Sequence, residues 1–274
     1  MSLIVFHPQA VAFVGHLGMV DLHRHAAPAV VVGLSRPISF FADGHETVKA
    51  RGAIIAPGVQ HELQVAEQQA LALYVEPGSN WARAVMRACG RSAFLPLADH
   101  QPWCLLVNAL IGCAGDAARC NDTLTVALDV LLSMPPPGPI DARIEHALVR
   151  CRWSGEEDET LLARRVCLSG SRLRHLFVEG TGTTLSRYRL WCRIRRAATS
   201  ALAGQSLTAA AVDAGFFDSA HFSRSFREMF GVSPSAILGR EDLVTVASSD
   251  ALPAHTFPES YQACFVGPSL SIAP

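Results

Sequence analysis

The sequence predicts an α+β protein whose first half is rich in β-strands and whose second half is all-α. Short β-type runs separated by glycine and proline fill the first 76 residues. Apolar residues recur at helical spacing from Ser79 onward, and the run Met134–Pro139 contains four prolines, which cannot continue a helix. A chain of 274 residues also exceeds what one compact core usually accommodates, so we expect two domains.

The strands predicted in the first half are short and closely spaced, which is typical of a small barrel or sandwich. Helical runs follow them, and we expect these helices to pack on the barrel or on a second subunit. The predicted strands cover residues 10–15, 29–34, 38–41, 47–49, 53–56, 62–65 and 70–75, and the helical runs cover residues 81–88, 103–111 and 124–131.

The proline-rich run marks the expected domain boundary. Proline lacks the backbone N–H and restricts the residue before it, so residues 135–140 are predicted to form a stiff linker. The linker separates a first domain, residues 1–134, from a helical domain, residues 141–240, and each is expected to fold around its own core. Residues 241–274 show no clear period and are left unassigned.

The composition argues against several classes of protein. The longest apolar stretches fall well short of the roughly 20 residues that a membrane-spanning helix needs, and no pattern typical of a signal peptide is recognised. Eight cysteines occur without a C-x-x-C pair, which argues against a zinc finger and against a dense disulfide framework. We therefore expect a cytoplasmic protein with no membrane partner and no cofactor.

Positive charge is concentrated in the second half. The whole chain has a net charge of −1, yet residues 160–240 contain twelve arginines against four acidic residues. Such an excess supplies an electrostatic footprint for phosphates. Because Lys49 is the only lysine in the chain, compositional bias explains the choice of arginine but not its clustering.

A helix-turn-helix pattern occurs twice in the helical domain. Ala163 is followed six residues later by Ser169, and Ala211 is followed seven residues later by Asp218. Serine and aspartate are good N-caps, and apolar residues follow each cap at plus 4 and plus 8. A small residue where two helices cross, a tight turn and a capped helix predict a helix-turn-helix unit. The segment Leu185–Ala203 predicts a helix about 28 Å long that joins the two units.

The outward face of each capped helix is small, polar or basic. With a helical rotation of about 100° per residue, cap plus 2 and plus 6 lie opposite the core face, with plus 3 and plus 5 beside them. This face predicts contacts with double-stranded DNA in the major groove; the alternative is an all-α dimerisation bundle with a basic surface. Arg193, on the joining helix, is expected to hold the DNA backbone. The predicted DNA-binding residues are Ser171, Arg172, Arg174, His175, Arg193, Ser219, Ala220, His221 and Arg224.

These motifs resemble those of the AraC/XylS transcriptional regulators. The matching segments include Leu168-Ser169-Gly170-Ser171-Arg172-Leu173, Asp218-Ser219-Ala220-His221-Phe222-Ser223-Arg224-Ser225-Phe226 and Phe230-Gly231-Val232-Ser233-Pro234. The sequence departs from the family pattern at Ala210, where a larger aliphatic residue is usual, and at Phe217, where a small polar residue is commoner. The resemblance implies a sequence-specific regulator, expected to be an activator, and an activator would also contact RNA polymerase.

The first domain looks like a cupin barrel, the usual N-terminal domain of AraC-type regulators. His23-Arg24-His25 and the segment Gly52–His61, which contains Pro57-Gly58, match the two cupin motifs. The resemblance implies a domain that senses a small organic effector. Helical runs 105–111 and 124–132 carry apolar stripes wider than a small barrel needs, so we expect homodimer contacts there. The predicted effector-pocket residues are His23, His25, Val32, His61 and Leu73, with Phe40–His45 at the pocket mouth.

The three histidines raise an alternative function. In enzymatic cupins three histidines and a glutamate converge on a metal ion, and His23, His25 and His61 are candidates for the same role. The Pro-Ala-Val segment at residues 28–30 stands where the glutamate is expected. We therefore expect no bound metal and a protein that is not an enzyme. The alternative is a cupin-type metalloenzyme, such as a dioxygenase, with a helical appendage.

Overall fold

The computed structural model describes residues 1–42, 46–90, 92–132, 138–153, 158–240 and 242–247. The strands in these residues are β1 (Ser2–His7), β2 (Ala10–His16), β3 (Met19–Arg24), β4 (Ala29–Gly33), β5 (Ile38–Ala42), β6 (Val48–Ala50), β7 (Gly52–Ile55), β8 (Gln60–Gln64), β9 (Gln69–Val75), β10 (Phe94–Pro96) and β11 (Leu243–Ala247). The helices are α1 (Asn80–Cys89), α2 (Gln101–Gly112), α3 (Ala117–Leu131), α4 (Ala142–Trp153), α5 (Glu159–Arg165), α6 (Gly170–Thr181), α7 (Leu185–Leu202), α8 (Leu207–Asp213), α9 (Ser219–Phe230) and α10 (Pro234–Leu238).

Two β-sheets form the N-terminal domain. The larger sheet has the strand order β10-β7-β4-β9-β2-β1-β11, and the smaller has the order β3-β8-β5-β6. Side chains alternate between the two faces of a strand. One face of the larger sheet packs on α1, α2 and α3, while the other packs on the smaller sheet and on the C-terminal helices. The larger sheet is therefore buried on both faces.

The predicted α+β fold class is confirmed. All seven predicted strands are present, and α1, α2 and α3 occupy the three predicted helical runs of the first half. Strands β1, β3, β10 and β11 were not among the predicted runs. Every residue of β1 is buried, so this strand has no polar alternation to reveal it. None of the described helices is both long enough and apolar enough to cross a membrane.

Strand β11 lies in the segment that the sequence left unassigned. It pairs with β1 in parallel, from Leu243 opposite Ser2 to Ala247 opposite Phe6. The chain therefore returns from the helical domain to the edge of the N-terminal sheet. Three parts of the sequence predictions fall outside the described residues: residues 248–274 of the tail, 135–137 of the linker and 43–45 of the pocket mouth.

One buried hydrophobic cluster contains residues from both halves of the chain, while the buried residues of two further clusters all lie in the first half; separate folding of the two domains stays a prediction. Ile4 and Phe6 of β1 and Phe13 of β2 belong to the same buried cluster as Trp191 and Ile194 of α7. The smaller sheet packs on β4 and β7, whereas β1 and β2 turn the same face of the larger sheet toward the C-terminal helices. Because this face is apolar, burying it requires the second half of the chain.

Candidate functional site

The two helix-turn-helix units, α5–α6 and α8–α9, have the same backbone construction. The turn position has a positive φ in both, +54° at Cys167 and +88° at Gly215. The next residue donates its backbone N–H to Ala163 in the first unit and to Ala211 in the second, at 2.9 Å in each case. The internal duplication predicted from the sequence is therefore present in the backbone.

Helices α6 and α9 begin at the predicted N-caps. The Ser169 hydroxyl accepts a hydrogen bond from the backbone N–H of Arg172 at 3.3 Å, and the Asp218 carboxylate accepts one from His221 at 2.6 Å. The residues predicted to face the core are buried: Leu173, Phe177, Phe222 and Phe226. The opposite face of each helix is consequently turned away from the core.

The predicted DNA-binding residues on α6 and α9 lie mostly on this outward face. Those exposed are Ser171, Arg172, Arg174, His175, Ala220 and Arg224, and those half-buried are Ser219 and His221. Arg174 forms an ion pair with Glu159, and His175 Nε2 lies 3.8 Å from a Glu179 carboxylate oxygen. Exposed pairs of this kind contribute little to stability, so a DNA phosphate can replace the carboxylate beside Arg174 or His175 with little loss of free energy.

Arg193 has a structural role that the sequence did not reveal. Its guanidinium lies over the Phe216 ring, 4.3 Å from the ring centroid, and donates to the carbonyl of Gly215. These contacts hold the second turn against α7. The contact of Arg193 with the DNA backbone stays a prediction. Phe217, the departure from the family pattern in this turn, exposes 88% of its surface and so does not perturb the core.

Three buried histidines meet where β3 and β8 lie side by side. The ring centroids of His23, His25 and His61 are 4.2 to 4.6 Å apart, and the Nε2 atoms of His23 and His25 are separated by 2.7 Å. Strand pairing places His23 directly opposite His61. The structure thus brings together the three histidines that the sequence singled out.

The imidazole rings of this cluster are neutral, and only some of their nitrogens form hydrogen bonds. His23 Nδ1 donates to the Asp21 carbonyl at 2.7 Å, and His61 Nδ1 donates to the Val59 carbonyl at 2.9 Å. Burial lowers the pKa of His23 to about 3 and that of His61 to about 4, and it also depresses the pKa of His25. Among the described residues, His61 Nε2 and His25 Nδ1 are buried without a hydrogen-bond partner.

An apolar cavity of about 70 Å³ lies between the N-terminal sheets and the C-terminal helices. Its aromatic walls are Phe6, Phe13, Tyr74, Trp191, Phe226 and Phe230. Of the five predicted pocket residues, His23 is the one among the cavity-lining residues.

Val32 and Leu73 do not line this cavity, and their role in an effector pocket stays a prediction. Both side chains lie on the opposite face of the larger sheet, packed in the core that contains α1, α2 and α3. Their neighbours Val31 and Ala72 line the cavity instead, because successive side chains of a strand point to opposite faces.

Sequence reasoning missed Glu76, a fully buried carboxylate that joins the two halves of the chain. It accepts hydrogen bonds from Tyr188 Oη at 2.7 Å, Trp191 Nε1 at 3.0 Å, Arg152 Nε at 3.0 Å and Arg195 Nη1 at 2.8 Å. Burial opposes ionisation of Glu76, but the two arginines and the hydrogen bonds outweigh it and hold its pKa below the ordinary value. No local pattern marks this residue, since its partners lie between 76 and 119 residues away.

Comparison with known proteins agrees with the helix-turn-helix geometry. Residues 162–240 match the family model of a helix-turn-helix domain. The arabinose operon regulatory protein of Escherichia coli K12 is 31% identical in an alignment 161 positions long, which covers 52% of this chain and 53% of that protein. The chain is thus similar to AraC-type regulators over its helix-turn-helix region. The uncharacterized HTH-type transcriptional regulator YidL of the same organism is 37% identical over 98 residues, 35% of this chain and 32% of that protein. The chain spans about a third of the length of YidL and about half of the length of the arabinose operon regulatory protein.

ToxT of Vibrio cholerae has the same overall fold. An apo ToxT structure aligns with a TM-score of 0.59 at 9% identity, covering 84% of this chain and 97% of ToxT. Wild-type ToxT bound to an unsaturated fatty acid aligns with a TM-score of 0.52 at 11% identity, covering 84% and 95%. The likeness extends over both domains and concerns the fold alone.

Proposed function

We propose that the chain is a transcription regulator that binds specific double-stranded DNA through α6 and α9. The observation that carries this proposal is the duplicated unit, in which two capped helices present outward faces without an acidic residue in their first two turns. A helix N-terminus of this kind reads base edges in the major groove. Activation with contact to RNA polymerase, a cytoplasmic location and the lack of enzymatic activity are further parts of the proposal.

The substitution Arg224→Ala tests this proposal. An arginine bidentate to guanine contributes about 1 to 3 kcal/mol of discrimination, so we expect specific binding to weaken about 5- to 150-fold with a much smaller loss on non-specific DNA. Bound genomic fragments are first selected with the purified chain, and dissociation constants are then measured by fluorescence anisotropy. Arg119→Ala, an exposed arginine on α3, is the matched control and should bind normally.

Two results would count against the assignment. An equal loss on specific and non-specific DNA would make Arg224 a phosphate contact rather than a base contact. Normal operator binding by a variant with both His175→Ala and Arg224→Ala would rule out the outward face as the recognition surface.

We further propose that a small organic effector binds in the cavity between the two domains. The cavity of about 70 Å³ is smaller than the roughly 300 to 1,000 Å³ of a ligand site, so an effector must widen the contact between the domains. The walls come from β1 and β2 on one side and from α7 and α9 on the other. A ligand that binds the widened form better would therefore change how α9 is held. Because ToxT, with the same fold, binds an unsaturated fatty acid, such an acid is the first probe.

Filling the cavity tests the effector site. Ala198 of α7 lines the cavity and is 5% exposed, so Ala198→Phe would occupy the space that the effector needs. We expect the fatty acid to change the DNA affinity of the unsubstituted chain by about 5-fold or more, and to have no effect on Ala198→Phe. Ala118→Phe, at an exposed position of α3, controls for the added ring. An unchanged fatty-acid response in Ala198→Phe would place the effector elsewhere.

We also propose that the chain forms a homodimer through α2 and α3. Three large apolar side chains on these helices are strongly exposed: Leu105 by 67%, Val126 by 63% and Val130 by 67%. They line one groove between the two helices. Contiguous exposed apolar surface marks protein contacts, and a dimer would let one regulator occupy two half-sites.

A further inference from the structure

The buried histidine cluster has a geometry that an apolar core does not require. We propose that His23, His25 and His61 bind a divalent transition-metal ion, and that the bound ion holds β3 against the C-terminal end of α9. The sequence alone led us to expect no metal. The arrangement of the three rings favours a bound ion instead.

The ring nitrogens are arranged as metal ligands are. One nitrogen from each histidine lies within 4.8 Å of the other two. The Nδ1 atoms of His23 and His61 each donate to a backbone carbonyl, so the Nε2 atoms of both rings carry lone pairs. The His23 lone pair accepts a hydrogen bond from His25 Nε2 at 2.7 Å, and a bound ion would take the place of the shared proton. Metal-binding histidines are oriented in this way, by a hydrogen bond from the second ring nitrogen.

The unpaired nitrogens give an independent reason to place an ion here. His61 Nε2 and His25 Nδ1 are buried with no partner among the described residues, and burying a polar atom unpaired costs free energy. Three hydrophobic side chains would fill the same space without this cost. A metal ion bound to His61 Nε2 uses that lone pair and removes this part of the cost.

The donor set indicates which ions fit. Imidazole ligands suit zinc, copper, nickel and cobalt, whereas magnesium and calcium require oxygen ligands. No carboxylate joins the cluster among the described residues, so three neutral ligands would leave two positive charges on the ion. We therefore expect an anion from solvent in the fourth position. His23 also lines the interdomain cavity.

Asp21 connects the cluster to helix α9. Its carbonyl accepts from His23 Nδ1 at 2.7 Å, its backbone N–H donates to the Gly231 carbonyl at 3.0 Å, and its carboxylate pairs with Arg227 at 2.6 Å. Gly231 is the C-cap of α9, and a Cβ at this position would lie 2.8 Å from His23 Nδ1. An ion that fixes the His23 ring therefore fixes Asp21 and, through it, the end of α9.

Metal titration of the full chain tests the site. After dialysis against a chelator, we expect one equivalent of Co²⁺ to bind with the visible absorption of a tetrahedral site, and Zn²⁺ to displace it. His61→Ala and His23→Ala should lose this equivalent. His16→Ala, which removes an exposed histidine at the end of β2, should keep it. Failure of the unsubstituted chain to take up Co²⁺ or Zn²⁺ at micromolar concentration, or an unchanged equivalent in His61→Ala, would overturn the proposal.

A measurement on the unsubstituted chain keeps the test independent of whether the variants fold. We expect Zn²⁺ to shift the ring ¹⁵N resonances of His23, His25 and His61 together, and to leave those of His16 unchanged. Ring resonances of the three histidines that do not move at saturating Zn²⁺ would refute the site even if metal binds elsewhere on the chain.

Hydrogen exchange tests the connection to α9. The Asp21 amide donates to Gly231, so its exchange rate reports whether β3 and the end of α9 stay together. We expect Zn²⁺ to slow this exchange by an amount on the order of tenfold in the unsubstituted chain and in His16→Ala, with no change in His61→Ala. An unaltered Asp21 exchange rate in Zn²⁺-loaded protein would show that the ion does not hold α9.

Discussion

At the scale of single residues, Glu76 joins the two halves of the chain through four buried hydrogen bonds. Removing a carboxylate from water is costly, and this cost is recovered here by two arginines and two neutral donors at 2.7 to 3.0 Å. All four donors come from α4 and α7, in the second half of the chain. Separating the halves would leave these buried charges without their partners, so the cluster favours one relative placement of the two domains.

The substitution Glu76→Gln should therefore destabilise the whole chain. A neutral amide leaves Arg152 and Arg195 facing each other without a negative charge, and breaking a buried pair costs about 3 to 5 kcal/mol. Urea unfolding followed by tryptophan fluorescence measures the change. Glu67→Gln, an exposed acid, should change the free energy of unfolding by no more than about 0.5 kcal/mol. Equal urea midpoints for Glu76→Gln and Glu67→Gln would contradict the stabilising role of Glu76.

The same carboxylate predicts a dependence on pH. Because the folded-state pKa of Glu76 lies below 4.5, the ordinary value for a glutamate, the stabilisation is complete above pH 4.5 and is lost as pH falls through the folded pKa. Urea midpoints measured from pH 6 downward should therefore fall more steeply for the unsubstituted chain than for Glu76→Gln. If the urea midpoints of the two proteins fell equally with pH, Glu76 would not be the group responsible for the loss of stability.

At the scale of elements, the sequence predicted helices and turns better than it predicted which face of a strand is which. The two helix-turn-helix units have local signals, since each cap, each turn and each apolar stripe lies within about 20 residues. Strands β4 and β9 are apolar on both faces, so no polar residue indicates which face meets the cavity. The sequence therefore did not reveal that Val32 and Leu73 lie on the face opposite the cavity. Glu76 was missed because its partners are distant in the chain.

The turn of the second unit provides a prediction at this scale. Gly215 has a φ of +88°, a conformation that costs a residue with a Cβ roughly 1 to 2 kcal/mol, so Gly215→Ala should destabilise the chain by about this amount. Gly112 ends α2 without a positive φ and with open space around it, so Gly112→Ala should be neutral or stabilising by up to about 1 kcal/mol. Thermal unfolding of both variants checks the opposite signs. A destabilised Gly112→Ala would show that the backbone argument does not hold.

At the scale of the whole molecule, the hydrophobic cluster that contains residues of both halves bears on how a signal passes between the two domains. The aromatic residues between the sheets and helices α7 and α9 form one cluster that contains the cavity. Glu76 and Asp21 join the two halves of the chain through their contacts with Arg195 of α7 and Arg227 of α9. Local sequence patterns predicted a strand-rich first half and a helical second half, but they carried no information on the contacts between the two halves. A ligand or ion at this contact therefore acts on both domains at once, without a separate element to transmit the signal.

The exposed groove on α2 and α3 gives the last prediction, which concerns the assembly of two chains. Val126 and Val130 lie one turn apart on α3 and are among its most exposed apolar residues. If they form the centre of a dimer contact, then Val126→Glu together with Val130→Glu would bury unpaired charges there. We expect the dimer dissociation constant to rise by a factor on the order of 100 or more, measured by sedimentation velocity. Met19→Glu adds a charge at an equally exposed apolar residue away from the groove and should leave the dimer intact. An unsubstituted chain that sediments as a monomer at high micromolar concentration would exclude this interface, and the exposed groove would then need a different partner.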